Sequence, residues 1–166
     1  MTDKTIEIRS ATEADAYVIA EQRVVMFRDM GSLDASIEGE LLDAATRQIR
    51  EAIASGEYVA WLAYPTDEPQ RIVGGSGVQL RRLFPRPDER GTRVLMGREG
   101  IVLNVYVARD FRRRGLARRL MEVILDWVPS TDIVRLVLNA SDEGRSLYES
   151  MGFVPNNEMR YGSTLR

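Results

Sequence analysis

The sequence predicts an α/β domain on a central sheet of mixed strand directions, and three observations carry that prediction. Strand-like and helix-like segments follow one another in the order strand, two helices, three or four strands, helix, strand, helix, strand. Residues 101–107 form a short apolar run rich in β-branched side chains, the composition of a buried strand. Past a polar turn at 108–111, Leu116, Leu120, Val123, Ile124 and Trp127 recur at helical spacing and mark one apolar face.

The elements follow in order. Residues 5–9 alternate apolar and polar side chains, a first strand. Thr12 with Asp15 three residues on reads as a capping box that starts a helix to about residue 30, with Val18, Ile19, Val25 and Met26 as its apolar positions. A break at 31–34 precedes a second helix to about residue 55, where Ile37, Leu41, Leu42, Ala45, Ile49 and Ile53 share a side and Gly56 is the stop. Residues 58–64 and 71–80 read as two strands of a hairpin around the turn at 65–69. Gly74, Gly75 and Gly77 in the returning strand are not a dinucleotide fingerprint, since no helix follows; they point to a bulge or a close backbone contact. Residues 81–97, with Pro85, Pro87 and Gly91, read as a loop without a packed core. The helix opened by residues 112–117 closes at Pro129. Residues 133–138 are a strand, 142–151 a short helix stopped by Gly152, and 153–154 with 158–161 the last strands.

Bulk composition narrows the function classes. The 166 residues, without linker, repeat or low-complexity segment, predict one domain over 1–166. There is no cysteine and no histidine. Disulfides, thiolate metal sites and a cysteinyl-acyl intermediate are therefore excluded, and the commonest metal ligand and general base are missing. A net charge of −2 argues against a nucleic-acid-coating surface. No apolar run approaches the ~20 residues of a membrane span, and the first residues lack an apolar signal core, so a cytoplasmic location without membrane attachment is expected.

The segment 101–117 carries the chemistry. Strand, basic glycine-containing turn and helix start together suit a phosphate-bearing ligand. The first helical N–H groups have no partner within the helix, that end is positive, and Gly115 allows a close backbone approach. Two other readings of the arginines at 112–114 and 118–119 remain open, a solvated basic helix face and a nucleic-acid patch. Arg112-x-x-Gly115-x-Ala117 after such a strand resembles the Arg/Gln-x-x-Gly-x-Gly/Ala signature of the GNAT superfamily, the acyl-CoA-dependent N-acetyltransferases. Leu147-Tyr148-x-x-x-Gly152-Phe153, one helix and one strand later, resembles that family's Leu-Tyr-x-x-x-Gly-Phe element. The resemblance spans nearly the whole chain. It implies a GNAT-like mixed, mostly antiparallel sheet flanked by about four helices.

It also implies acetyl-CoA as co-substrate, no metal, and residue roles. Main-chain amides of Arg113, Arg114, Gly115, Leu116 and Ala117 would hold the pyrophosphate, with Arg112, Arg118 and Arg145 near the phosphates. Val105, Tyr106 and Val107 would pair with the pantetheine arm as a strand does, aided by Asn139 and Ser141. Where the family often has Asn and Ala, this chain has Ser141 and Gly144. Tyr148 occupies the position of the acid that protonates the leaving thiolate; tyrosine near ~10 against a thiol near ~8.5 is a reasonable pairing. Its alternative is a tyrosine packed beside Phe153. A base is needed because an alkylamine near ~10.4 is almost wholly protonated at pH 7, a deficit of roughly 4–5 kcal/mol. With no histidine, a carboxylate through water is expected, Glu99 first and Glu158 second. The acceptor pocket, between the first two helices and the central strand, nominates Met26, Phe27, Met30 and Asn104.

The expected function is acetyl transfer to a primary amine of a small molecule such as an amino acid, a polyamine-like metabolite or an amine antibiotic. Acetylation of a protein or peptide amine and a non-catalytic acyl-CoA-binding regulator are the alternatives. No nucleic-acid or membrane partner is expected, and a homodimer is admissible.

Overall fold

The computed structural model describes residues 5–159. Strand β1 (Ile6–Ser10) leads through a short 3-10 turn into α1 (Ala16–Asp29) and α2 (Glu38–Ser55). Next come β2 (Tyr58–Pro65), β3 (Gly74–Arg82), the two-residue strands β4 (Arg86–Pro87) and β5 (Val94–Leu95), and β6 (Arg98–Val107). Helix α3 (Leu116–Trp127), β7 (Ile133–Leu138) and α4 (Asp142–Ser150) follow. The main sheet has the order β1-β2-β3-β6-β7, antiparallel except for the β6–β7 pair, which is parallel. Among the described residues this is the mixed, mostly antiparallel sheet flanked by four α-helices that the resemblance implied.

Local chemistry sets the ends of these elements. The Asp15 carboxylate accepts from the Thr12 amide at 2.8 Å and is clamped by Arg9, so the expected cap is present. Gly56 ends α2 with φ of 75°, a conformation that costs glycine nothing. At the end of α4, Gly152 takes φ of 94° and the Phe153 amide donates to the Tyr148 carbonyl at 3.0 Å, folding Phe153 back onto the helix.

Three expectations need correction. Helix α3 begins at Leu116, with Gly115 as its cap, so residues 112–114 lie in the loop before it. The stretch 81–97 is not all loop, since β4 and β5 form a small hairpin. Residues 153–154 and 158–159 are not in strands: Val154 is exposed, and Pro155 lacks an amide to donate to a ladder. Residues 160–161 of that expected strand lie outside the described residues.

The sheet buries both faces. On one, Leu120, Met121 and Ile124 of α3 are fully buried against Val78, Val102, Trp61 and Val73, and Trp127 meets Trp61 edge-on at 5.2 Å. Each such aliphatic side chain contributes about 1.5–3 kcal/mol by leaving water. On the other, Ile19 and Ala20 of α1 are buried and Ile19 packs with Tyr58, Ala60 and Leu62. The buried row of α1 is Ala16, Ile19, Ala20, Gln22 and Val24 rather than the row through Val25 and Met26, because α1 packs against both the sheet and α2, and small side chains let it approach.

The three glycines of β3 are explained by what leans over them. A Cβ on Gly75 would lie 2.4 Å from Gln22 Oε1, and one on Gly77 would lie 2.1 Å from the Tyr58 hydroxyl. The pairing of β3 with β6 also slips between Gly75 and Gly77, so Asn104 and Val105 together face Ser76 in a bulge. Gly77→Ala is expected to lower the urea midpoint by the equivalent of about 1–3 kcal/mol at unchanged slope. An unchanged midpoint would show that the Tyr58 ring is free to move aside.

Candidate active site

The site begins where two strands part. Strand β6 is paired with β3 to its end, from Arg82–Arg98 to Gly74–Val107. With β7 it pairs only from Arg98 to Val102, and β7 stops at Leu138. Among the described residues, the main chain of residues 103–107 therefore has no strand on its β7 side. Apart from the Val107 carbonyl, which accepts from Arg112, the donors and acceptors of such a row are a template for an extended chain of amides. Val105 and Val107 turn their side chains to the α3 face, Val105 into the cluster with Tyr148, Met151 and Phe153, Val107 against Leu116 and Phe111. Tyr106, opposite Gly75, faces the α1 side.

That open edge leads to the start of α3. Arg113 at φ of 63° and Gly115 at φ of 77° turn the chain twice within three residues. The first bond into the helix runs from the Arg119 amide to the Gly115 carbonyl, and among the described residues the amides of Arg113, Arg114, Gly115, Leu116, Ala117 and Arg118 have no acceptor. No atom lies within 4 Å of the position a Gly115 Cβ would take. Unsatisfied amides facing open space at the positive end of a helix favour an anion.

The arginines divide by task. Arg112 donates through Nε to the Val107 carbonyl at 2.9 Å and through Nη2 to Asp29 at 2.9 Å, and Arg109 reaches the same carboxylate at 2.7 Å. These guanidinium partners hold Asp29 below the usual carboxylate range. Arg112 thus ties the loop to α1. Arg118 donates to Ser150 Oγ at 2.6 Å, joining α3 to α4, and Arg119 to the Ile6 carbonyl. Arg114 lies 5.7 Å over the Phe111 ring, and Arg113 has no partner among the described residues. Arg145 is exposed beside Glu149 at 3.9 Å. Asn139, exposed just past β7, has no hydrogen-bond partner among the described residues. Ser141 caps α4, its oxygen accepting from Gly144 at 3.2 Å, which leaves its proton free to donate.

Tyr148 packs edge-on against Phe153, ring centroids 6.1 Å apart, in the cluster that also holds Val105. Its hydroxyl has no partner among the described residues, and burial pushes its pKa up. The expected packing beside Phe153 is present, and it leaves the hydroxyl free of any protein acceptor among the described residues.

Across the sheet, Asn104 occupies the bulge at φ of 56° and is 8% exposed. Its Oδ1 accepts from Arg23 at 2.9 Å and its Nδ2 donates to the Tyr58 hydroxyl at 2.9 Å. Arg23 in turn lies 4.8 Å over the ring of Phe27. Desolvation pushes Tyr58 up to about 12. The structure thus joins Phe27 to Asn104 through Arg23, while Met26 is only partly buried and Met30 is exposed at the helix end. Arg23, Tyr58 and Gln22 were not legible from sequence. The only trace was the glycine run opposite them, which has no meaning until the register is known.

The expected bases stand differently. Glu158 is exposed and in no regular element. Glu99 is 2% exposed, with Oε1 bonded to Arg81 at 2.6 Å and Oε2 to Arg135. Both oxygens already accept charge-assisted bonds, which departs from the free carboxylate expected of a base. Among the described residues no group of His, Cys, Asp and Glu is arranged to hold a metal, and no helix is long and apolar enough to cross a membrane.

The fold has counterparts among known proteins. The family model of the acetyltransferase (GNAT) domain matches residues 40–166. The [ribosomal protein bS18]-alanine N-acetyltransferase of Salmonella typhimurium LT2 is 32% identical over 99 residues, covering 55% of this chain and 66% of that protein, just under two thirds of its length. A GCN5-related N-acetyltransferase from Ralstonia eutropha JMP134 superposes with a TM-score of 0.80 at 27% identity, over 96% of this chain and 99% of that one. A protein from Clostridium acetobutylicum described as a predicted acetyltransferase, with acetyl-CoA in its crystal structure, has the same fold, with a TM-score of 0.77 at 22% identity over 96% of each chain. On the match to residues 40–166, this chain belongs to the GNAT family of acetyltransferases.

Proposed function

We propose that the protein moves an acetyl group from acetyl-CoA to a primary amine by direct attack on the thioester. The observation that carries this is the continuous path from the open edge of β6 beyond Val102 to the unsatisfied amides of residues 113–118. The pantetheine arm extends that edge through main-chain groups of Val105 and Val107, and the pyrophosphate lies on the amides before and within the first turn of α3, with Arg113 and Arg114 beside it. Asn139 and Ser141 face the arm from the far side of the gap.

The thioester then lies near the bulge. A bulge leaves one residue outside the ladder, and a main-chain N–H freed there stabilises the oxyanion as the amine attacks. The amine comes from the α1 face, past Phe27 and Asn104. The amine gives one proton to water before it attacks and a second from the tetrahedral adduct; as the carbon–sulfur bond breaks, Tyr148 gives its proton to the thiolate and regains one from solvent. The absence of cysteine rules out an acyl-cysteine route. The acceptor is the amine of a small molecule. The second reading is a peptide or protein amine, supported by the similarity to an enzyme named for a ribosomal-protein alanine.

Gly115→Trp fills the open space above the helix start. It is expected to weaken acetyl-CoA binding at least 100-fold by calorimetry while the melting temperature falls by only a few degrees. Unchanged affinity would refute the phosphate placement. Tyr148→Phe is expected to lower kcat by about 10- to 100-fold with little change in KM. Because burial raises the pKa of Tyr148, wild-type kcat should persist past pH ~10, where an ordinary tyrosine ionises, and the variant should lack this alkaline limb. An unaltered kcat would make Tyr148 structural. Thiol release from acetyl-CoA across a panel of small amines and peptides tests the reaction itself, and binding without release to any amine would favour the regulator.

A further inference from the structure

Glu99 has one negative charge and two guanidinium partners, and that surplus is unexplained by folding alone. Its carboxylate is buried, yet Arg81 is 60% and Arg135 36% exposed. A single arginine satisfies a buried carboxylate, so the trio carries one uncompensated positive charge held at fixed geometry. Its place in the sheet gives the surplus a direction. Arg81, Glu99 and Arg135 are cross-strand neighbours on β3, β6 and β7, one row of the face that α1 covers further along. The next row on that face is Gln79, Ile101 and Val137, each at least partly exposed. The row after that holds Leu103 beside Gly77, where the Tyr58 ring reaches Asn104. A half-apolar floor therefore runs from the bulge to the two arginines, four residues or roughly 13 Å along β6. A cleft of about 970 Å³ opens beside Arg81, between the end of α2, the end of β3 and the start of β6.

We infer that Arg81 and Arg135, braced by Glu99, form the seat for a carboxylate on the acceptor, so the preferred substrate is an amine carrying a carboxylate about 10–13 Å from its nitrogen. This rests on the proposed transfer at the gap between β6 and β7. The planar guanidinium of Arg135 keeps donors free after meeting Glu99, and bidentate binding of a carboxylate suits arginine where lysine would not. Glu99 is then the anchor that fixes both arginines rather than the base. The spacing is that of an extended tripeptide from its amino group to its terminal carboxylate, and a small amino acid is too short to reach both ends.

The test uses the full chain and matched acceptors that differ only in charge: Ala-Gly-Gly with a free carboxylate, the same tripeptide as its amide, and free alanine. With wild-type protein, thiol release from acetyl-CoA should have a KM at least tenfold lower for the free tripeptide than for its amide or for alanine. Arg135→Gln, which leaves Arg81 to neutralise Glu99, should raise the KM of the acid at least tenfold and that of the amide less than twofold, at unchanged acetyl-CoA affinity. Arg135→Lys should recover only part of the loss. If Arg135→Gln unfolds, Arg81→Gln at the more exposed position gives the same comparison. Equal KM values for acid and amide in wild-type protein, or equal losses for both in the variants, would overturn the seat while leaving the acetyltransferase reading intact. Absence of thiol release with any of these amines and with a panel of other amines would overturn both.

Discussion

Everything in the site depends on β6 losing β7 after Val102. A strand in mid-sheet has its main-chain groups satisfied on both sides; here one side is satisfied by β3, and among the described residues no strand covers the other for five residues, where Arg112 reaches the Val107 carbonyl. Unpaired edges are costly when buried and hazardous when exposed, so an edge left open inside a fold calls for a ligand. The bulge at Asn104 and the two positive-φ residues before α3 lie at either end of that edge. The Arg23–Asn104–Tyr58 chain of hydrogen bonds holds the first, and the hold of Arg112 and Arg109 on Asp29 braces the second.

The arginine-rich composition has a physical division of labour. Near α3 the arginines are mostly spent on protein partners, and in the proposed site the anion falls to backbone amides, which need no side-chain ordering to act. At the start of β6 the opposite holds, since a buried carboxylate fixes two guanidinium groups and leaves donors to spare. A helix dipole and main-chain donors suit a diphosphate that every turnover shares. A forked side-chain pair suits the part of the acceptor that must be discriminated.

Legibility in the sequence followed the range of the interaction. Helix α2, β7 and the Gly56 stop were readable because periodicity and a single glycine determine them locally. The start of α3 was misplaced by four residues, since the arginines at 112–114 have good helix propensity and only the fold demands a turn there. Gly74, Gly75 and Gly77 announced a bulge or close contact, yet not what approached them; Gln22 lies 53 positions from Gly75 and Tyr58 19 positions from Gly77. Glu99 was singled out as a carboxylate near the central strand. Its two arginines, each 18 or 36 residues distant, are neighbours only through strand register.

The most direct measurement is a titration of isotopically labelled protein with coenzyme A, followed through backbone amide resonances. The amides of Arg113, Arg114, Gly115, Leu116 and Ala117 should shift most, together with those of Val105 and Val107, and removal of the diphosphate from the ligand should silence the first group alone. Large shifts confined to other strands or helices, with these resonances unmoved, would contradict the coenzyme site.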